Sequence, residues 1–593
     1  MTRSLLTIEA LHRDYAAGKP AGDAVREAFE RIAEVDDPGI FIHLPPAESV
    51  IAEAEALGSF DPETRPLWGV PFAVKDNIDV AGMPTTAACP AYAYRPGQDA
   101  EVVRLLREAG ALVIGKTNLD QFATGLVGTR TPYQIPRNAL DPELVPGGSS
   151  SGSAVAVAQG IAAFALGTDT AGSGRVPAGL NGIVGLKPSL GALSTRGVVP
   201  ACRTLDCVSI FATSVEDARA VLHVAAKFDQ GDPYSRPWQP ATRAVSRVGV
   251  PRPADRQFFG DSAAESAFAA TIDGIASTGA GIVELPFEPF YQVARLLYEG
   301  PWVAERYAAI ESFLASNESQ LHPVTRSVIL QARGISAADA FKGLYRLEEL
   351  RREVAALIDG VDLLCVPTAP TWYTLEQNLA DPIVTNSNLG TYTNFVNLLG
   401  LCGLAIPTGT QADGRPASVT LLARGGLDDM LSGFAGQMTG GAPVTAPRPA
   451  RLHKSSGIEI AVVGAHLTGL PLNRELTELG GAFIRTVRTA CDYRLFELPG
   501  ANPRKPGLLE VAGGKGHAIE AEIWALSAEA FGRFVSRIPA PLCIGTIRFG
   551  DGSSAKGFVV GDESVRGARD ISSFGGWRNY MARQEDAPRE GVA

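Results

Sequence analysis

Histidine is scarce in this 593-residue chain, and only four histidines fall within the first 440 residues. They are His12, His43, His223 and His322. None of them lies in a glycine-rich turn: two fall in helical sequence and two lie beside proline-bearing segments. An ordinary serine hydrolase uses histidine as the base that activates its nucleophile. The sequence therefore argues against that class for this part of the chain.

Metal-ligand and disulfide patterns are also missing. No Cys-x-x-Cys or His-x-x-x-His pair occurs, so the sequence predicts no bound metal. The seven cysteines are scattered and odd in number, which indicates reduced thiols in an intracellular protein rather than a disulfide framework. Nothing else in the sequence implies a cofactor.

Long apolar runs and blocks of basic residues are absent as well. The longest run of small apolar residues, 154–167, is interrupted by Gln159 and Gly160 and is shorter than the roughly 20 residues that span a bilayer. Residues 1–20 read as an amphipathic helix interrupted by charges, so we expect no signal peptide. A net charge of −11 without a basic block disfavours nucleic-acid binding. We expect a cytoplasmic protein with no membrane or nucleic-acid partner.

The composition that remains is that of a large globular protein. Hydrophobic residues make up 45% and charged residues 20% of a chain too long for one core, so at least two domains are expected. Residues 65–225 alternate short β-branched runs with glycine-rich turns and helical stretches, which predicts α/β layering. Residues 285–360 are strongly helical and are predicted to cap the sheet. We assign residues 1–440 to this first domain.

A second, smaller domain is predicted after a linker. Residues 441–457 combine proline, glycine and positive charge without apolar periodicity, which is typical of an exposed connection. Residues 458–593 then read as short strands around one helix, LSAEAFGRFVSRI, and predict an α+β domain. The segments predicted as strands are IEIAVVGAHL, LLEVAGG, AIEAEIWAL and APLCIGTIRFGDG.

Two glycine-rich loops carry serines that could react, namely PGGSSSGSA with Ser149 and GTDTAGSGR with Ser173. The first also matches the G-x-S-x-G nucleophile elbow, which would select Ser150, but a proline-interrupted loop precedes it instead of an apolar strand. The sequence between Ser149 and Ser173 predicts a helix, a turn and a strand that runs back over about the same distance as the helix. The two serines can therefore meet at one end of this unit.

A third segment, GVPFAVKDN, supplies a base. Lys75 ends an apolar run, where burial lowers the pKa of a lysine and yields a neutral amine. A proton could then pass from Ser173 through Ser149 to Lys75 without histidine. Asp169 and Arg175, which flank the second serine loop, are expected to brace it.

The segments GVPFAVKDN, PGGSSSGSA and GTDTAGSGRVPA, in this order, resemble the amidase signature family over roughly residues 1–440. The resemblance implies an α/β amidase signature fold, a mixed β-sheet covered by helices. It assigns Ser173 as the acyl-forming nucleophile, Ser149 as a bridging serine on a cis peptide and Lys75 as the base. Consecutive backbone N–H groups would face the developing oxyanion: those of Thr170, Ala171, Gly172 and Ser173.

Ala171 and Gly174, which depart from residues common in the family, resemble the allophanate hydrolase branch, as do residues 202–218 and the C-terminal domain. This resemblance implies hydrolysis of allophanate, a urea unit bearing a carboxylate, to ammonia and carbon dioxide in urea or s-triazine degradation. It also points to Tyr298 and Arg306 as substrate contacts, because a guanidinium group binds a carboxylate through two parallel hydrogen bonds.

The C-terminal domain resembles the γ-glutamylcyclotransferase-like domain of the same branch. There it would decarboxylate the N-carboxycarbamate left by the first reaction, and His466, in a strand-end loop, is the predicted catalytic residue. His517, with Lys515 as an anion contact, is the alternative. A purely structural domain that stabilises a dimer is a further alternative.

Partners and other functions stay open at this stage. The resemblance implies a homodimer, and the lack of a Met-Lys-Met biotinylation motif implies that any urea carboxylase supplying allophanate is a separate protein. An amidase of another small amide and one component of a glutaminyl-tRNA-type amidotransferase are alternative enzymes. A non-enzymatic scaffold would be expected to lack one of Lys75, Ser149 and Ser173, yet all three are present.

Overall fold

The computed structural model describes residues 6–440, 458–500, 504–511 and 513–585. The chain divides into two compact units between Ala450 and Arg451. The predicted linker, residues 441–457, lies outside the described residues.

The first unit is built around one mixed sheet, which has eleven strands among the described residues. In chain order they are β1 (Phe41–His43), β2 (Pro71–Lys75), β3 (Leu112–Thr117), β4 (Phe164–Asp169), β5 (Val184–Lys187), β6 (Cys207–Ala212), β7 (Arg247–Pro251), β8 (Gly281–Leu285), β9 (Leu363–Pro367), β10 (Leu401–Thr410) and β11 (Pro416–Arg424). Their order across the sheet is β1-β3-β2-β4-β6-β5-β10-β11-β9-β7-β8.

Helices surround this sheet. They are α1 (Ile8–Ala16), α2 (Ala21–Val35), α3 (Ala47–Ala56), α4 (Glu101–Glu108), α5 (Ser151–Ala158), α6 (Val176–Leu180), α7 (Val215–Ala225), α8 (Ser262–Ser277), α9 (Glu288–Glu299), α10 (Trp302–Asn317), α11 (Pro323–Leu330), α12 (Ala337–Ile358), α13 (Leu375–Ala380), α14 (Val384–Leu389), α15 (Phe395–Leu398) and α16 (Asp428–Thr439). No helix among the described residues is long and apolar enough to cross a membrane.

The sheet is covered on both faces. One hydrophobic core joins β2, β4, β6 and β10 to helices such as α7 and α16. A second core joins β9, β10 and β11 to α9, α12 and α15, of which α9 and α12 fall within residues 285–360. The predicted α/β fold, a mixed sheet covered by helices, is confirmed.

Three parallel strands determine where the serine loops meet. β2 pairs in parallel with β3 on one side and with β4 on the other, so their carboxyl ends reach the same edge of the sheet. β2 and β4 are buried along their whole length, as expected of central parallel strands. Lys75 ends β2, and the loop that carries Ser173 follows β4.

The helix between the two serines is short and made of small residues. α5 has the sequence SGSAVAVA, and all eight of its residues are buried. A Cβ atom at Gly152 would lie 2.3 Å from the carbonyl oxygen of Ile40 and 2.6 Å from the amide nitrogen of Asn118. Glycine there lets α5 approach the strand ends closely. The helix and strand predicted between Ser149 and Ser173 are thus confirmed.

The second unit is an α+β domain with its own core. Its elements are β12 (Ile458–Val462), α17 (Arg474–Thr477), β13 (Ala482–Arg488), β14 (Tyr493–Glu497), β15 (Pro506–Glu510), β16 (Glu520–Leu526), α18 (Ala528–Val535), β17 (Cys543–Arg548), β18 (Ser554–Val559), β19 (Arg569–Asp570) and α19 (Trp577–Glu585). Among the described residues, one sheet has the order β13-β16-β12-β18-β17 and another the order β15-β14-β19.

Candidate active site

Lys75 lies fully buried at the end of β2, between the two serine loops. Its Nζ atom lies 2.8 Å from Ser149 Oγ and 2.7 Å from Thr168 Oγ1. Burial lowers the pKa of Lys75 to about 7, because a charged ammonium group loses its hydration in the interior. The negative charges that oppose this decrease belong to Asp120, Asp169 and Asp206.

Ser149 follows a cis peptide bond with Gly148 and is fully buried. The amide nitrogen of Gly148 donates to the carbonyl of Leu126 at 2.8 Å, and the carbonyl of Ser149 accepts from the amide nitrogen of Asp120 at 3.0 Å. These two bonds attach the first serine loop to the segment that follows β3.

Ser150, the alternative from the elbow pattern, faces β4 instead. Its hydroxyl donates to the carbonyl of Thr168 at 3.2 Å, and its side chain is fully buried. A serine held against a strand in this way is not presented to a substrate.

Ser173 lies beyond the end of β4, and its hydroxyl donates to the carbonyl of Gly125 at 3.4 Å. The next carbonyl, that of Leu126, accepts from Gly148. The two serine loops therefore contact consecutive peptide groups of one segment. Among the described residues no hydrogen bond joins the hydroxyls of Ser149 and Ser173 directly.

The loop that ends at Ser173 contains backbone N–H groups that no described residue accepts from. In the described part of the chain, no acceptor takes the N–H groups of Ala171, Gly172 or Ser173. Gly172 has a φ of 144°, and a Cβ atom there would lie 2.3 Å from Thr393 Oγ1. Only glycine allows this close turn. Thr170, the fourth residue of the predicted oxyanion hole, donates its hydroxyl to Asp206.

A buried ion pair braces the same loop, as expected. The Nε and Nη2 atoms of Arg175 lie 2.9 and 3.0 Å from the two carboxylate oxygens of Asp169. One of these oxygens also accepts from the amide nitrogen of Gly174 at 3.0 Å. Burial acts to raise the pKa of Asp169, but the charge and hydrogen bonds of Arg175 hold it below its ordinary value.

Tyr298 on α9 and Arg306 on α10 lie together beside the segment whose Gly125 contacts Ser173. Arg306 is only 2% exposed, so it is not a surface arginine. Its Nη1 atom lies 3.3 Å from Thr124 Oγ1 and 3.5 Å from the carbonyl oxygen of Ala123. Gly125, the next residue, accepts from Ser173. The guanidinium group lies 5.4 Å from the centre of the Tyr298 ring.

One edge of the Arg306 guanidinium group has no partner among the residues that the structure describes. Within the described residues, neither Nε nor Nη2 of Arg306 has a hydrogen-bond acceptor, and the buried hydroxyl of Tyr298 has no partner either. Arg175 uses this same pair of atoms to hold the carboxylate of Asp169. The free edge of Arg306 and the hydroxyl of Tyr298 are therefore suited to a carboxylate.

Three polar residues of this site were not singled out from the sequence. Thr168 accepts from Lys75, Asp120 binds the backbone of the first serine loop, and Asp206 holds Thr170. The sequence did contain a signal for two of them. Thr168 lies near the end of β4 and Asp120 shortly after β3, and the carboxyl ends of neighbouring parallel strands meet at one edge of a sheet.

In the second unit, His466 lies in the loop after β12. Its Nε2 atom is 3.0 Å from the Oε2 atom of Glu475. Its ring centre lies 5.2 Å from that of Phe534 and 5.4 Å from that of Phe558. Burial lowers the pKa of His466, and Glu475 opposes this decrease.

The alternative pair in the second unit lies at the surface. His517 and Lys515 are both exposed, and the amide nitrogen of His517 donates to the carbonyl of Tyr493 at 2.7 Å. Neither unit, over the residues described, contains a cluster of three or more His, Cys, Asp or Glu arranged to hold a metal ion.

A buried lysine in contact with one serine, and a second serine whose loop has backbone N–H groups without an acceptor among the described residues, are arranged as the resemblance to amidases implies. The chain belongs to the amidase family, since the family model described as Amidase matches residues 23–431. A second model, described as Allophanate hydrolase C-terminal domain, matches residues 458–582.

Individual relatives agree with this assignment. The urea amidolyase of Saccharomyces cerevisiae is 44% identical over 579 residues, which cover 93% of this chain but only 31% of that protein. The structure of Kluyveromyces lactis allophanate hydrolase matches with a TM-score of 0.71 and 39% identity, covering 98% of this chain and 99% of that one. The chain spans about a third of the length of the urea amidolyases it matches.

Other relatives match a smaller part of the chain. One of them is a component of the glutamyl-tRNA(Gln) amidotransferase from Nitratidesulfovibrio vulgaris, which is 35% identical over 450 residues. The match covers 68% of this chain and 90% of that protein.

Proposed function

We propose that this protein hydrolyses allophanate to ammonia and carbon dioxide. The observation that carries the proposal is the Nε–Nη2 edge of buried Arg306, which has no acceptor among the described residues and lies beside the segment that contacts Ser173. It supports a small substrate that has a carboxylate at one end and an amide at the other. Allophanate, which is urea with a carboxylate on one nitrogen, has that arrangement. The match of residues 458–582 to the allophanate hydrolase C-terminal domain favours it further.

In the proposed first step, neutral Lys75 takes a proton from Ser149, which takes one from Ser173. The Oγ atom of Ser173 attacks the amide carbon, and the negative charge that develops on the carbonyl oxygen is stabilised by backbone N–H groups of the loop 170–173. Reversal of the proton transfer protonates the leaving nitrogen, and ammonia departs. The pKa of Lys75, about 7, suits a base that must release its proton again.

Water then attacks the acyl-enzyme by the same proton route, which frees Ser173 and releases N-carboxycarbamate, a nitrogen that carries two carboxylates. Throughout both steps, Arg306 and Tyr298 hold the carboxylate of the substrate. The Arg306 guanidinium group remains protonated, because the neighbouring Cys202, Tyr298 and Asp206 raise its pKa although burial acts to lower it.

We assign the second reaction to the second unit. Loss of carbon dioxide from N-carboxycarbamate requires a proton for the nitrogen, and an imidazole paired with a carboxylate can supply and recover one. His466, paired with Glu475, has this arrangement. The resulting carbamate decomposes to ammonia and the second carbon dioxide.

Ammonia release from allophanate tests the proposal. We expect turnover of allophanate by the wild-type protein, slower turnover of the uncharged diamide malonamide, and none by Ser173→Ala. Ammonia release from biuret and from glutamine is measured in the same way for comparison. Faster turnover of glutamine or malonamide than of allophanate would favour an amidotransferase component or another amidase instead.

The carboxylate contact has its own test. Arg306→Met removes two hydrogen bonds to a charged group, so we expect kcat/KM for allophanate to fall about 100-fold. Malonamide turnover should fall much less, since only the longer contacts to Ala123 and Thr124 are lost. An equal loss on both substrates would contradict carboxylate binding by Arg306.

We further propose that the protein is cytoplasmic, that it forms a homodimer, and that a separate urea carboxylase supplies its allophanate. They are supported by the resemblance of the sequence to allophanate hydrolases. Light scattering on the purified protein tests the dimer: we expect twice the mass of the chain.

A further inference from the structure

We propose that Arg130 is a positioning residue of the amide-hydrolysing site, which acts through Thr124 to hold the carbonyl of Gly125 against Ser173. Arg130 is only 2% exposed and belongs to the segment that leads from β3 to the first serine loop. Nothing in the resemblance to the family assigns it a role. The inference rests on the proposed role of Ser173 as the nucleophile but does not depend on which amide is the substrate.

The loop that Arg130 holds has a conformation that needs support. Phe122 and Ala123 both have a φ of 51°, a left-handed conformation that side chains other than glycine rarely adopt. Two such residues in succession are strained and persist only where their surroundings enforce them. The carbonyl of Gly125, two residues further on, is the acceptor for Ser173.

Two arginines bind this loop from different parts of the chain. The Nη1 atom of Arg130 lies 2.9 Å from the carbonyl oxygen of Thr124, while Arg306 reaches the Thr124 hydroxyl and the carbonyl of Ala123. The contact made by Arg130 is the shorter and fixes the peptide group between Thr124 and Gly125. It therefore controls the residue whose carbonyl meets the nucleophile.

Arg130 is itself fixed at both ends. Its amide nitrogen donates to Asp120 at 2.9 Å, and its Nη2 atom donates to the carbonyl of Pro382 at 2.9 Å. Asp120 also binds the carbonyl of Ser149 through its own amide nitrogen. Arg130 thus links Gly125, Asp120 and Ser149, and a shift of its side chain would move the acceptor of Ser173 relative to the rest of the site.

The test is steady-state kinetics of Arg130→Met and Arg130→Lys on both allophanate and malonamide. A misplaced nucleophile slows the chemical step on either substrate, so we expect kcat of Arg130→Met to fall 10- to 100-fold on both, with KM nearly unchanged. Lysine retains one donor and should restore part of the rate. A rise in KM without a fall in kcat would show that Arg130 binds substrate instead.

Thr129→Val is the matched control. Thr129 precedes Arg130 and donates its hydroxyl to Asn378 at 2.7 Å, so its loss loosens the same region around α13 without touching Thr124. We expect kcat of Thr129→Val to stay within about twofold of the wild type. An equal loss in Thr129→Val and Arg130→Met would overturn the proposal, because general loosening would explain both.

Labelling of Ser173 gives a readout that needs no amide substrate. We expect phenylmethanesulfonyl fluoride to modify Ser173 at least tenfold more slowly in Arg130→Met than in the wild type, as followed by intact-protein mass. Equal labelling rates in folded proteins would overturn the proposal. Failure of the wild type to hydrolyse allophanate, with slower labelling in the variant, would refute the proposed substrate and retain the role of Arg130. If Arg130→Met does not fold, Arg130→Lys supplies the same comparison.

Discussion

Lys75 can act as a base only in its neutral form, and its surroundings determine the pH at which that form predominates. Burial lowers its pKa to about 7, while the carboxylates of Asp120, Asp169 and Asp206 act against the decrease. The rate of amide hydrolysis should therefore rise with pH through about 7 as the amine loses its proton. The pH dependence of kcat/KM is thus a direct measurement of this balance.

Replacing Asp120 tests the balance without touching a reacting atom. Asp120→Asn removes the largest of the charges that favour protonated Lys75, so the pKa of Lys75 falls further and the acidic limb of the profile moves to lower pH. The amplitude will also fall, because the side chain accepts from the amide nitrogens of Gly128 and Arg130. The pH at which the acidic limb of the kcat/KM profile lies reports the pKa of Lys75, whereas its amplitude does not. An acidic limb at the same pH in Asp120→Asn as in the wild type would contradict the electrostatic effect of Asp120 on Lys75.

The same burial makes Lys75 costly for stability. In the unfolded chain the pKa of Lys75 is about 10.5, so the unfolded chain binds the proton more tightly than the folded one. The loss in folding free energy is therefore complete below pH 7 and disappears as the pH approaches 10.5. With about 1.4 kcal/mol for each pKa unit, Lys75→Met should stabilise the first unit by a few kcal/mol at pH 6. Thermal unfolding at pH 6 and pH 9 checks this: the gain in Tm should be smaller at pH 9. A variant less stable than the wild type at both pH values would contradict the prediction.

At the scale of elements, the predicted and observed structures agree where the pattern is local. The short helix between the serines and the strands that flank it follow from apolar runs bounded by glycine. In the second unit, β13 was not predicted, because AFIRTVR has no buried residue and owes its place to pairing with β16. Arg306 shows the same limit for a site residue: its sequence surroundings read as a surface helix, yet it is buried, with contacts to the Ala123 carbonyl and the Thr124 hydroxyl.

The close packing of α5 gives a prediction about one glycine. Gly152→Ala places a methyl group 2.3 Å from the backbone oxygen of Ile40, which cannot yield without moving the chain. We expect a loss of about 3 kcal/mol in the free energy of unfolding, in the range for overpacked interiors. Denaturant titration of the first-unit transition measures it.

Gly433→Ala is the control for this prediction. Gly433 lies within α16, and a Cβ atom there would have no neighbour within 4 Å. Alanine is the better helix former, so this variant should gain roughly 0.5 to 1 kcal/mol. Similar effects of the two substitutions would show that α5 does not depend on close approach at Gly152.

At the scale of the whole molecule, the two units are proposed to act in succession on one carbon–nitrogen skeleton. In this proposed sequence, the first unit would release one ammonia and leave N-carboxycarbamate, a dicarboxylate that also loses carbon dioxide without catalysis. The second unit would therefore contribute only a faster release of carbon dioxide. Its function can be detected only by resolving the two ammonia molecules in time.

His466→Asn in the full-length chain separates these events. Asparagine cannot exchange a proton near neutral pH, so the first ammonia should appear at the wild-type rate, while carbon dioxide and the second ammonia should lag behind it. Rapid-quench sampling for ammonia and carbon dioxide measures the lag, and His517→Asn serves as the matched variant at the exposed alternative site. A lag in His517→Asn alone would transfer the role to that residue. Identical time courses in both variants and the wild type would leave the second unit without a part in decarboxylation, because the spontaneous reaction would then account for all of the carbon dioxide.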